Sequence, residues 1–162
     1  MKIEYLNDYN FYLYLNKEYI IDLELDNKES IEKYFKMMFM KLKKNYHIDI
    51  YGYYNIRVYA NNNYGIIVDV FKLSDDYFKM PNNKIDMKIA IDKDNVFIYE
   101  IDDYFFARKY DRNIKNIYFK DQKYYVELND EIDDTFYFHL MEHSNIIFDD
   151  EAYEIIKTSL KL

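Results

Sequence analysis

Apolar and polar positions alternate most clearly over residues 47–73, HIDIYGYYNIRVYANNNYGIIVDVFKL. Two runs of β-branched and aromatic residues flank the 61–65 segment NNNYG, which predicts a hairpin with a glycine-closed loop. Tyr54, Ile56, Val58 and Ala60 fall on one face of the first run, and Asn55, Arg57 and Tyr59 on the other. Gly52 reads as a bulge or a close backbone approach inside that strand. Upstream, Ile31, Tyr34, Phe35, Met38, Phe39 and Leu42 recur at helical spacing, and Asp26 with Glu29 has capping-box spacing. A helix is therefore expected from there to about Asn45. Met37 and Met40 lie outside its stripe and predict a helix buried on two sides, in preference to a soft methionine-rich partner surface. Strands over 2–6 and 10–25 complete a ββαββ unit.

The second half opens with Ile85, Met87, Ile89 and Ile91 alternating against Asp86, Lys88 and Asp92. A strand over 96–99 follows. Asp102 or Asp103 is placed to cap a short helix reaching Tyr110. Residues 117–128 read as a hairpin turning at Asp121-Gln122, 135–143 as a helix and 146–148 as a strand. Asp149 or Asp150 is then expected to cap a last helix with Ala152, Ile155, Ile156 and Leu160 apolar. The 74–84 segment holds the only proline, Pro81, among polar residues. The expected fold class is α+β, with two small, mainly antiparallel sheets each packed with helices. The expected organisation is a domain over 1–75, a linker over 76–84 and a domain over 85–162.

Composition changes this picture little. Asn, Lys, Ile and Tyr make 77 of the 162 residues, so the 21 tyrosines and 12 phenylalanines reflect A/T-rich codons more than a function. Net charge is −8, carried unevenly: residues 1–75 are at −1 and residues 76–162 at −7. An acidic chain of mixed signs does not gather on nucleic acid or anionic lipid, but it complements a basic protein surface. There is no cysteine, hence no disulfide framework, thiol nucleophile or zinc–thiolate site. The start MKIEYLNDYN lacks the charge pattern and apolar run of a secretion signal, so a cytoplasmic protein is expected.

Candidate chemistry is sparse. His139, Glu142 and His143 form an H-x-x-E-H pattern, which on a helix sets two imidazoles on one face as in inverted zinc peptidases. A hydrolytic zinc site needs a third ligand from another element, and only Glu151 and Glu154 follow nearby. The expectation is accordingly two partly exposed helical histidines, with no catalytic residue, cofactor or metal. His47 reads as a helix C-terminal residue. The acidic groups Asp102-Asp103, 130–134 and Asp149-Asp150 lack the spacing and glycine of a calcium loop. With two glycines in the chain, a phosphate-cradling loop is excluded.

Several segments resemble the MecA family, adaptors of the ClpC chaperone-protease in low-GC Gram-positive bacteria. Met1-Lys2-Ile3-Glu4 with Asn7-Asp8 is similar to its opening strand, and Tyr34-Phe35-Lys36-Met37-Met38 to its amphipathic helix. The strand over 52–60, GYYNIRVYA, resembles the family's G-P-L-W-I-Q-V-Q-A, and 64–70, YGIIVDV, the strand after it. Weaker echoes of the C-terminal domain lie at 97–104, 124–128 and 140–157. The resemblance implies a non-enzymatic adaptor in regulated proteolysis. Its N-terminal domain would hold a client protein and its acidic C-terminal domain would dock on a ClpC-type ATPase. It carries no individual partner-contact residue over. The alternative is an acidic inhibitor or immunity-type protein that blocks a basic partner.

Overall fold

The computed structural model describes residues 1–19, 24–47, 51–61, 63–73 and 84–162. Residues 20–23 of the expected 10–25 strand, and nearly all of the expected linker with Pro81, lie outside these. The architecture is α+β, with two mainly antiparallel five-stranded sheets and four α-helices among the described residues. It divides into two compact units, Met1–Asp94 and Asn95–Leu162.

In the first unit β1 (Lys2–Asn7) and β2 (Asn10–Asn16) precede α1 (Lys28–Tyr46), followed by β3 (Gly52–Asn61), β4 (Gly65–Lys72) and β5 (Ile85–Asp92). The sheet order is β1-β2-β4-β3-β5. β5 corrects the expected organisation, in which it opened the second domain. It runs parallel to β3, with Gly52 opposite Ile85 and Ile56 opposite Ile89, so the division falls after Asp94. The alternation of 85–92 predicts a half-buried strand but does not say which sheet receives it. β4 is already paired with β2 on one side and β3 on the other, leaving the outer edge of β3 open.

Helix α1 buries Ile31, Phe35, Met38, Phe39 and Leu42 against Leu13, Ile56, Val58 and Val68 of the sheet. Phe35 is wholly buried and touches the rings of Tyr34 and Phe39, so its truncation to alanine costs about 3–5 kcal/mol. The N-cap is Asn27, whose side chain accepts from the Ser30 amide at 3.2 Å; the expected cap, Asp26, pairs with Lys93 instead. Asn27 takes the capping role with an extended backbone, φ −105° and ψ 101°, as an N-cap requires. His47 ends the helix at φ 54°. The helix is not buried on two sides: Met37 and Met40 are 52% and 66% exposed.

The hairpin forms as its pattern predicts. Tyr54, Ile56, Val58 and Ala60 enter the core under α1, while Asn55 and Arg57 are exposed on the other face. Gly52 opens β3 instead of interrupting it, donating its amide to the Lys84 carbonyl at 2.9 Å. Asn61 holds the loop: its Oδ1 accepts from the amides of Asn63 at 2.9 Å and Tyr64 at 3.2 Å.

The second unit runs β6 (Ile98–Ile101), α2 (Tyr104–Lys109), β7 (Ile114–Lys120), β8 (Lys123–Leu128), α3 (Asp134–His143), β9 (Asn145–Ile147), α4 (Asp149–Thr158) and β10 (Leu160–Lys161). Its sheet is antiparallel throughout, in the order β10-β7-β8-β6-β9. The strand–helix–hairpin–helix–strand–helix order is the one the pattern predicts, with β10 added. Asp121 and Gln122 turn the hairpin with φ of 50° and 64°, the left-handed pair of a two-residue turn matched to strand twist. Asp103 caps α2, accepting from Phe105 N at 2.8 Å, and Asp133 caps α3, accepting from Phe136 N at 2.9 Å. Asp149 and Asp150 do not cap α4. Its N-cap is Phe148; Asp149 sits at φ 58° and gives its amide to Oδ1 of the buried Asn95 at 3.1 Å. Leu160, expected on the apolar face of that helix, lies beyond it in β10 and is exposed.

Candidate functional site

Three surfaces deserve a chemical reading, and the first is the face of the first sheet opposite α1. Strand register lines up Tyr12, Asp69, Arg57 and Ala90 across β2, β4, β3 and β5. The next row sets Phe71 and Lys88 on either side of Asn55. Together Asn55, Arg57, Asp69, Phe71, Lys88 and Ala90 line a shallow depression. Burial pushes the Asp69 carboxyl above its ordinary range, and the Arg57 guanidinium opposes that shift without cancelling it. Its Oδ1 is buried without a hydrogen-bond partner. Arg57 Nη1 donates to the Tyr59 hydroxyl at 3.4 Å. A carboxylate, a guanidinium, an ammonium, an amide and an exposed ring can recognise a polar and aromatic partner surface. They do not pair a nucleophile with a base. Asp69 is a lone carboxylate inside the apolar run IIVDVF, and that is its one signal in the sequence.

The second surface is apolar. On α1, the exposed Met37 and Met40 stand among the exposed Lys33, Lys36, Lys41 and Lys44. On the β1–β2 hairpin, Tyr5, Leu6 and Tyr9 are exposed, and β1 is an edge strand. Flexible thioethers and edge-strand backbone both suit a protein partner.

The third lies on α3. His139, Glu142 and His143 are all exposed, and one donor atom from each lies within 4.8 Å of the others. The imidazole centroids are 4.5 Å apart at 66°. His139 is backed by the rings of Phe106 and Tyr110, with centroids at 5.5 and 6.5 Å. The helix brings all three together because positions i, i+3 and i+4 share a face. Glu151 and Glu154, the third ligands considered from sequence, do not join this group, whereas Glu142 does.

The charge is partitioned at the observed division as it is at residue 75. Residues 1–94 carry 14 basic and 15 acidic side chains, and residues 95–162 carry 8 and 15. The second unit is therefore at −7 and the first at −1. No helix of the described residues is long and apolar enough to cross a membrane. No protein-family model, curated protein or solved structure matches the chain.

Proposed function

We propose that this chain is a non-enzymatic protein-interaction module of the adaptor kind, similar to MecA, which presents a client protein to a ClpC-type ATPase. The observation that supports it best is the division into two compact units of different surface character. The first offers methionine and aromatic side chains and an edge strand for a client. The second offers an excess of carboxylates for a basic docking surface, where charge acts chiefly on the rate of association. The acidity of the second unit also favours a second reading, an inhibitor that blocks one basic partner.

Calorimetry of the intact chain with the N-terminal domain of a ClpC-type ATPase tests the first reading. Binding that weakens as salt is raised is expected, because exposed charges are screened within about 8–10 Å at these ionic strengths. No heat of binding at tens of micromolar protein, an affinity weaker than roughly −6 kcal/mol, would exclude the ATPase as partner and leave the inhibitor reading in front.

A further inference from the structure

We propose that His139, Glu142 and His143 form a surface site for one divalent transition-metal ion, with zinc as its natural probe. Two imidazoles and one carboxylate are the donor set such ions favour, while magnesium and calcium prefer all-oxygen sites. Bonds of about 2.1 Å to zinc set tetrahedral donors about 3.4 Å apart. The donors here lie within 4.8 Å of one another, and rotation of three exposed side chains closes the difference.

Two features of the surroundings favour a cation. His143 is the last residue of α3, at the helix end that carries a partial negative charge. The unit as a whole carries a charge of −7. His139 stands beside the rings of Phe106 and Tyr110, with centroids at 5.5 and 6.5 Å. A third ligand from another element is missing among the described residues, as the sequence implies. Glu142, on the same helix face, supplies the third donor instead.

That assignment also separates the site from peptidase chemistry. A carboxylate bound to the ion is not free to act as general base, and all three side chains are exposed to water. The remaining coordination positions open to solvent. The site stands independently of the adaptor reading.

Untagged full-length protein, titrated with zinc chloride in a calorimeter, tests the site. One equivalent bound with a micromolar dissociation constant is expected, with nickel also binding and calcium not. His139→Gln and His143→Gln, with circular dichroism unchanged, should each weaken zinc by at least about tenfold, and Glu142→Gln by a smaller but measurable factor. His47→Gln, at the end of α1 in the first unit, should bind like the parent. Undiminished binding in the His139→Gln/His143→Gln double variant would overturn the site. So would calcium binding as tightly as zinc, an unchanged affinity in Glu142→Gln, or no zinc bound at about 1 mM, weaker than about −4 kcal/mol.

Discussion

Gly65 stands against the backbone of Asn16, its partner across the β2–β4 ladder, so closely that a Cβ on Gly65 would lie 2.8 Å from Asn16 Cα. The same Cβ would run into the carbonyl oxygen of Leu15. Gly65 also holds φ at +125°, where an L side chain is strained. Both obstacles are backbone, so neither is relieved by a rotamer change. Gly65→Ala is expected to destabilise the first unit by at least about 2–3 kcal/mol, since backbone strain alone contributes 1–3. Urea unfolding followed by circular dichroism measures this. A midpoint unchanged within error would mean that the loop re-forms with a different register.

The hairpin that Gly65 closes was legible because three signals coincide there: alternation, β-branched residues and an asparagine-rich loop. Helix α1 was legible for a similar reason, five of its six predicted stripe positions being fully buried and Tyr34 partly so. Caps were less so. The cap of α1 is Asn27, one residue past the expected Asp26, and that of α2 is Asp103, one of the two carboxylates expected there. At Asp149 the decision belongs to Asn95, 54 residues earlier in the chain, which claims the Asp149 amide. The parallel pairing of β5 with β3 is non-local in the same way, and no periodicity encodes it. The depression around Arg57 and Asp69 depends on cross-strand register, which emerges only when four strands are aligned. The α3 cluster was visible as a motif, but the closeness of the Glu142 carboxylate to both imidazoles emerges only once the helix is built.

Placing the division after Asp94 has a direct consequence for fragments. A fragment ending at residue 84 lacks β5, which removes the buried Met87 from the α1 core and leaves the outer edge of β3 unpaired. Burial of one such side chain is worth about 1.5–3 kcal/mol before the lost ladder is counted. Residues 1–94 are therefore expected to unfold cooperatively, and residues 1–84 to melt at lower temperature or aggregate through the exposed edge. Differential scanning calorimetry of the two fragments decides this. Equal transitions would return β5 to the second unit.

Two carboxylates should give the stability of the protein opposite dependences on pH. Glu127 of β8 accepts hydrogen bonds from Lys115 at 2.8 Å, Asn116 at 2.6 Å and Tyr118 at 2.9 Å. Burial alone would push its carboxyl up, but these three donors outweigh burial and hold it below the ordinary range. Burial and the bond to Glu127 in turn push the Tyr118 hydroxyl up to about 12, so it stays a donor at neutral pH. Because the folded value of Glu127 lies below the unfolded one, its contribution is fully present above about pH 4.3, the free glutamate value. It is lost as pH falls through the folded value. Glu127→Gln is expected to be less stable than the parent at pH 7, with the gap closing in acid as pH falls through the folded value. Asp69 has the reverse sign. Its folded value is raised, so it is disfavoured as a buried charge at neutral pH and relieved as it protonates. Asp69→Asn should therefore gain on the parent at pH 7 and lose that advantage in acid. Urea denaturation of both variants at neutral and acid pH checks the pair. A Glu127→Gln gap that stays constant with pH would show that its hydrogen bonds do not depend on the charge of the carboxylate.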